Sequence, residues 1–274
     1  MIAPLRRAWL LSALEAVLAR QGAARLVSAP LVFPDARSFP DRWTPDAHGV
    51  AAIARRLLGL AGLGHLDVSI ATFVEDVAVD RVGLDGKPSA WSHRGAAAWF
   101  AGIRGDVCEF GVELSKLSDP LGLVAALAHE VGHAFRHAHR MEHREELTEE
   151  RLTDLTTVYL GFGVLTTAAS ERFTSHSHDN LGSSYQRQAQ GYLPPEELAF
   201  LLAAQLVVRG YAPATIKDVA RALPTNQAVA LVQIAGTLDR REVCSELGFD
   251  AVPAVQPPPE HLPRPWWRRL LGPG

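Results

Sequence analysis

Cysteine is scarce in this chain of 274 residues: Cys108 and Cys244 stand far apart and fit no CxxC or metal-knuckle spacing. That excludes a disulfide-built scaffold and a thiolate metal site. The two read as buried thiols of a reducing compartment, although the sequence alone leaves a bridge between them open. An excess of one charge is missing as well, with Lys+Arg 27 against Asp+Glu 30 and a formal net charge of -3. Without a cluster of lysine or arginine there is no surface to displace counterions from a phosphate backbone, so nucleic acid is not an expected partner. Long apolar runs are absent too. The longest largely apolar stretch without charge, residues 155–170, falls short of the roughly 18–20 residues needed to cross a bilayer, and no membrane span is expected. The N-terminus, MIAPLRRAWLLSALEAVLA, opens like a signal peptide, but Glu15 interrupts its apolar run. It reads as an amphipathic helix, and a cytoplasmic protein is expected.

What is present is apolar: 47% of residues are hydrophobic, ample for a core in a chain of this length. Neither disulfides nor a metal is needed merely to fold it, so any metal here is expected to be functional. After the first helix a segment dense in proline and aromatics, residues 30–45, must run extended, because each proline removes a donor and disfavours helix before it. Asp46 can cap a helix to about residue 60. Three strand-like runs follow: LDVSIATF (66–73), AAAWFAGI (96–103) and VCEFGVEL (107–114), the last two joined by a hairpin at Arg104-Gly105-Asp106. From Asp119, with Pro120 at the first helical position, the pattern turns helical: 119–139, 148–169, 195–210, and two shorter helices at 214–223 and 227–238. Strands first and helices second predict an α+β fold. Residues 1–251 are expected as one domain and 252–274, rich in proline, as a C-terminal tail.

The chemistry lies in the 119–139 helix. His129-Glu130-Val131-Gly132-His133 is an HExxH pattern whose two histidines, four apart, project from one helix face and suit two ligands of one zinc ion. Glu130, set to the side, can serve as general base toward a water activated by the metal. On the next helix Glu150 and Asp154 form an ExxxD pair one turn apart, so one carboxylate can bind metal while the other orients a ligand histidine.

Over roughly residues 110–163 the sequence resembles the gluzincin metallopeptidases, the thermolysin-like zincins and small minigluzincins, whose pattern is HExxH, a connection, then a glutamate ligand in ExxxD. The stretch ERLTDLTTVYLGFG is also similar to a bacterial protein group that supplies no substrate. The resemblance implies a zincin-like α+β fold, with a small antiparallel or mixed sheet followed by a helical half carrying the metal site. It implies Zn2+ held by His129, His133 and Glu150, Glu130 as base, Asp154 as partner of a histidine, and a peptide or protein as substrate. VCEFGVEL would be the edge strand that aligns an extended peptide. The connection from His133 to Glu150 is short for the wider family and thermolysin's substrate-binding sequences are absent, so the resemblance is of a site and not of a specificity. His139, six residues after His133, offers a second arrangement, that of the metzincins, although Arg136 stands where that motif has its turn-making glycine and no Met-turn follows.

Other readings stand beside these. His137, His139 and His143 are expected as solvated side chains at a helix C-terminus. Gly132, Gly161 and Gly163 predict close helix approach or a bend near the site. The loop TSHSHDNLGSSYQRQ holds His176, His178, Tyr185 and Arg187, among which Tyr185 and His178 lead as donors to an oxyanion. The expected function is a zinc-dependent hydrolase, a soluble metallopeptidase. The alternative is a catalytically silent zinc-binding scaffold or regulatory module.

Overall fold

Leu10, Leu11, Leu14, Val17 and Leu18 recur along one side of the first helix, α1 (Pro4–Gln21), and all five are buried. The computed structural model describes residues 2–74, 97–177, 183–189, 192–259 and 262, with the backbone alone over 171–177 and 183–189. A short helix, α2 (Ala24–Ser28), leads into the extended segment, where Leu31, Val32 and Phe33 are core residues. Asp46 then caps α3 (Ala47–Leu60), its carboxylate accepting from the Gly49 N–H at 2.9 Å.

Three strands form a mixed sheet: β1 (Asp67–Phe73), β2 (Ala98–Arg104) and β3 (Val107–Glu113). The order is β1-β3-β2, with β1 parallel and β2 antiparallel to β3. This corrects one expectation: among the described residues VCEFGVEL is the central strand, buried from Phe110 to Glu113, and β1 and the hairpin partner β2 are the two edges. A β-carbon on Gly111 would fall 1.9–2.4 Å from the Trp99 indole, so glycine is what lets that ring lie across the central strand.

A 3-10 turn (Leu114–Ser118) delivers the chain to α4 (Pro120–Ala138), capped by Asp119 and opened by Pro120. Almost every side chain of α4 is buried up to Arg136, because β2, α3, α5 (Glu146–Tyr159) and α6 (Gly163–Ala169) all pack on it. One helix was expected over 148–169, and the structure breaks it into α5 and α6. Gly161 has φ +91°, and a β-carbon there would sit 2.3 Å from the Pro30 carbonyl oxygen. The extended segment thus presses on the chain where only glycine can turn left-handed. The polar stretch expected as a loop is a hairpin, β4 (Glu171–Ser177) with β5 (Ser183–Ala189), antiparallel. His178 lies outside the described residues, as do Trp266 and Trp267.

Four further helices complete the fold: α7 (Pro195–Val208), α8 (Pro213–Ala220), α9 (Thr225–Ala235) and α10 (Arg240–Glu246). α7 is buried on all sides, its apolar residues divided between two core clusters. The fold is α+β with a small mixed sheet. Both cysteines are free and buried. Among the described residues no helix is long and apolar enough to cross a membrane.

Candidate metal centre

The C-terminal half of α4 carries His129, Glu130 and His133, and α5 brings Glu150, Thr153, Asp154 and Thr157 against it. The last four recur at i, i+3, i+4 and i+7, one stripe of a helix, and all are buried. Gly132 sets how near that stripe can come. A β-carbon there would lie 3.0 Å from Thr153 Cγ2, 3.3 Å from the Thr153 carbonyl oxygen and 3.4 Å from Thr157 Cγ2. The close approach expected of this glycine is therefore observed.

At that separation the Glu150 carboxylate reaches both histidines. Its Oε2 is 3.0 Å from His129 Nε2 and 3.2 Å from His133 Nε2, and the three ligand atoms lie within 4.8 Å of one another. The opposite ring nitrogens are held from behind: His129 Nδ1 by Asp154 Oδ1 at 2.8 Å, His133 Nδ1 by Thr153 Oγ1 at 3.2 Å. A carboxylate can only accept, so Asp154 accepts the Nδ1–H and thereby turns Nε2 of His129 toward Glu150. Two imidazole nitrogens and one carboxylate oxygen are a donor set that suits zinc.

The electrostatics point the same way. Burial is the largest single influence on His129 and opposes its charge, yet Asp154, Glu150 and Glu130 together raise its pKa well above the ordinary value. A field of carboxylates that strong favours a cation between them. Glu150, despite burial, is held down to about 2 by hydrogen bonds from and the charges of both histidines. Glu130 is moved the other way: burial raises its pKa, more than His129, His133 and the Phe100 N–H lower it. Two carboxylates in one site are thus pushed apart, one toward ligand and one toward base.

Glu130 joins the helix to the sheet. Its Oε2 accepts the Phe100 N–H of β2 at 2.6 Å. Ala97 O accepts from Glu113 N and Trp99 lies opposite Gly111, so strand alternation turns the peptide groups of Ala98 and Phe100 to the side of β2 away from β3, where Glu130 takes the Phe100 N–H and Ala98 is buried. Among the described residues a sheet edge lies here, one strand from VCEFGVEL.

The second oxygen of Asp154 accepts from Tyr192 N at 2.6 Å and Leu193 N at 2.8 Å, which fixes the segment before α7. Tyr192 in consequence stacks on His129, ring centroids 5.9 Å apart and 29° between planes. Its phenol is pushed up to about 12 by burial and by the carboxylates Glu150, Glu130, Glu146 and Asp154, so it keeps its proton. Spacing gave no hint of Thr153, Phe100 or Tyr192.

His139 is not in the cluster. α4 ends at Ala138, Arg140 adopts φ +53°, and the Met141 N–H closes the end on Arg136 O at 2.8 Å. His139 packs edge-on to Phe135, centroids 4.2 Å apart, facing Arg20 and Arg25. Arg136 makes no turn: buried, it binds both oxygens of Glu149 at 2.8 and 2.7 Å and Met141 O at 2.6 Å. That tie folds the short connection back and starts α5 where Glu150 meets the histidines. His137 pairs with Glu142 on the surface, and the side chains of His176, Tyr185 and Arg187 lie outside the described residues. Among the described residues, His129, His133 and Glu150 are the one such group.

No protein-family model matches the chain, and neither a curated protein nor a solved structure is significantly similar to it.

Proposed function

We propose that the protein is a zinc-dependent hydrolase acting on peptides, with a gluzincin-like, zincin-type site. His129, His133 and Glu150 would hold the ion, and the observation that carries the reading is the convergence of their three donor atoms beside a separate, buried Glu130. When bound, zinc would supply Lewis-acid polarisation of a carbonyl and a lower pKa for water.

The chain's own residues supply the rest. Glu130 Oε2 takes the proton from the attacking water and returns it to the leaving amine, with its raised pKa suited to both transfers. The side of β2 turned away from β3 would pair with an extended substrate, through the Phe100 carbonyl next to the base. Asp154 and Thr153 keep the two imidazoles turned. Tyr192, stacked over His129, is a further donor to the developing oxyanion beside Tyr185 and His178, whose side chains lie outside the described residues.

The test is elemental analysis joined to a peptide-library assay on the purified chain. Wild type should carry one zinc and cleave some peptide; Glu150→Ala should lose the zinc, and His139→Ala should keep it. Glu130→Gln should retain zinc while turnover falls by about 10²–10⁴-fold. Full turnover by Glu130→Gln would refute the mechanism, and zinc without turnover in wild type would leave the silent scaffold as the function.

A further inference from the structure

Arg136 stands three residues after His133 on α4, and Glu149 directly before Glu150 on α5. Both are largely withdrawn from water, with 2% and 13% of their side chains exposed. Desolvating two charges costs about as much as their attraction returns, and apolar residues of similar volume often serve stability equally well. Stability is therefore a weak reason for the pair. What it fixes is the start of α5. Nε and Nη2 of Arg136 grip the two oxygens of Glu149; Oε2 also accepts from His143 N at 2.6 Å, and Nη2 also donates to Met141 O. Each of these partners lies in the connection 139–145 or on the residue next to the ligand. Nη1 reaches Thr156 Oγ1, 3.4 Å away and two turns further along α5. Glu149, Thr153 and Thr156 recur at i, i+4 and i+7, a stripe beside the one that carries Glu150, and Thr153 belongs to both. Glu149 Oε1 lies 3.9 Å from His133 Nδ1, the nitrogen that Thr153 Oγ1 holds.

We infer that Arg136, acting through Glu149, is a positioning residue for the metal centre: the pair sets the first turn of α5, and with it the Glu150 carboxylate, against His129 and His133. The inference rests on the reading of those three residues as metal ligands. A planar fork that meets two carboxylate oxygens and a carbonyl at once requires arginine, since lysine offers a single nitrogen. The pair is neutral as a whole, so its removal leaves the net charge around the site as it was, and any loss of metal affinity is one of geometry.

Zinc affinity of the full chain, by chelator competition, and the visible absorption of its cobalt(II) form separate this role from packing. In Arg136→Met/Glu149→Met no buried charge is left alone, so the variant is expected to fold, as far-UV circular dichroism would show. It should nevertheless bind zinc about ten-fold or more weakly, and its cobalt bands should shift or weaken. Arg136→Lys keeps the charge without the fork; it should lose several-fold in affinity with the same change in the cobalt spectrum, and it carries the test should the double variant fail to fold. Wild-type zinc affinity and cobalt spectrum in either folded variant would overturn the inference and leave the metal centre in place. If wild type bound neither zinc nor cobalt, the metal centre itself would fall, and this inference with it.

Discussion

Asp154 serves two partners at once: Oδ1 holds His129 Nδ1, and Oδ2 gathers the N–H groups of Tyr192 and Leu193. Asp154→Asn cannot do both, because an amide nitrogen must face either the imidazole N–H or the two backbone donors. Zinc affinity, measured by competition with a chromophoric chelator, should fall about 10–100-fold. Unchanged affinity would deprive Asp154 of its positioning role. Thr153→Val, near in shape, removes only the hydroxyl behind His133 and should cost less. At this scale the residues legible in the sequence were those whose role follows from helical spacing: His129, Glu130, His133, Glu150 and Asp154 all stand on two helices at intervals of three and four. Phe100 and Tyr192 contribute backbone N–H groups across 30 and 38 residues, and a backbone donor carries no signature in residue type.

The two helices matter as a pair, and Gly132 is the contact that fixes their distance. In Gly132→Ala the new methyl meets Thr153, which is wholly buried, and its carbonyl oxygen cannot yield. Overpacking of about 1–3 kcal/mol, offset by the ~1 kcal/mol that alanine gains over glycine in a helix, leaves a net loss of up to about 2 kcal/mol in urea unfolding. Zinc affinity should fall with it, as Glu150 is moved off the histidines. Gly132→Ala/Thr153→Ser removes the nearest methyl and should recover part of both; no recovery would place the strain elsewhere. Capping is likewise an element's property. Gly49 N–H, then the Thr44 hydroxyl, lower the pKa of Asp46, so its folded pKa lies below its unfolded one. Its contribution is therefore complete above the ordinary carboxylate pKa and disappears as pH falls through the depressed value. The stability gap between wild type and Asp46→Ala, followed by thermal melts against pH, should close in acid and stay constant near neutrality. Elements with such punctuation were readable, as at Asp46 and at Asp119-Pro120. The break at Gly161 was not, because Pro30 causes it from across the fold, and α10 lies beyond the expected helices although Asp239 caps it through the Glu242 N–H. The edge strand was misplaced for a related reason: alternation identifies strands but not their order.

For the whole molecule the question is what a bound ion adds to a fold that does not need one. The main core cluster draws on α1, α3, all three strands of the mixed sheet, α4, α5, α7 and α10. α4 and α5, the two helices of the site, lie inside it, so the histidines and Glu150 are placed before any ligand arrives. Zinc should therefore stabilise by mass action and not by making folding possible: about 4 kcal/mol with free zinc 1,000-fold above its dissociation constant. In a domain of this size that is roughly 8–16 °C in melting temperature. A tight chelator should lower the melting temperature of wild type by an amount in that range while leaving a cooperative transition and native far-UV circular dichroism. His133→Ala should melt near the chelated wild type and ignore the chelator. Unfolding on chelation would mean that the core is insufficient by itself, contrary to its burial. A melting temperature indifferent to chelator in wild type would mean that the cluster holds no metal, and the helix pair would then have to be explained as packing alone.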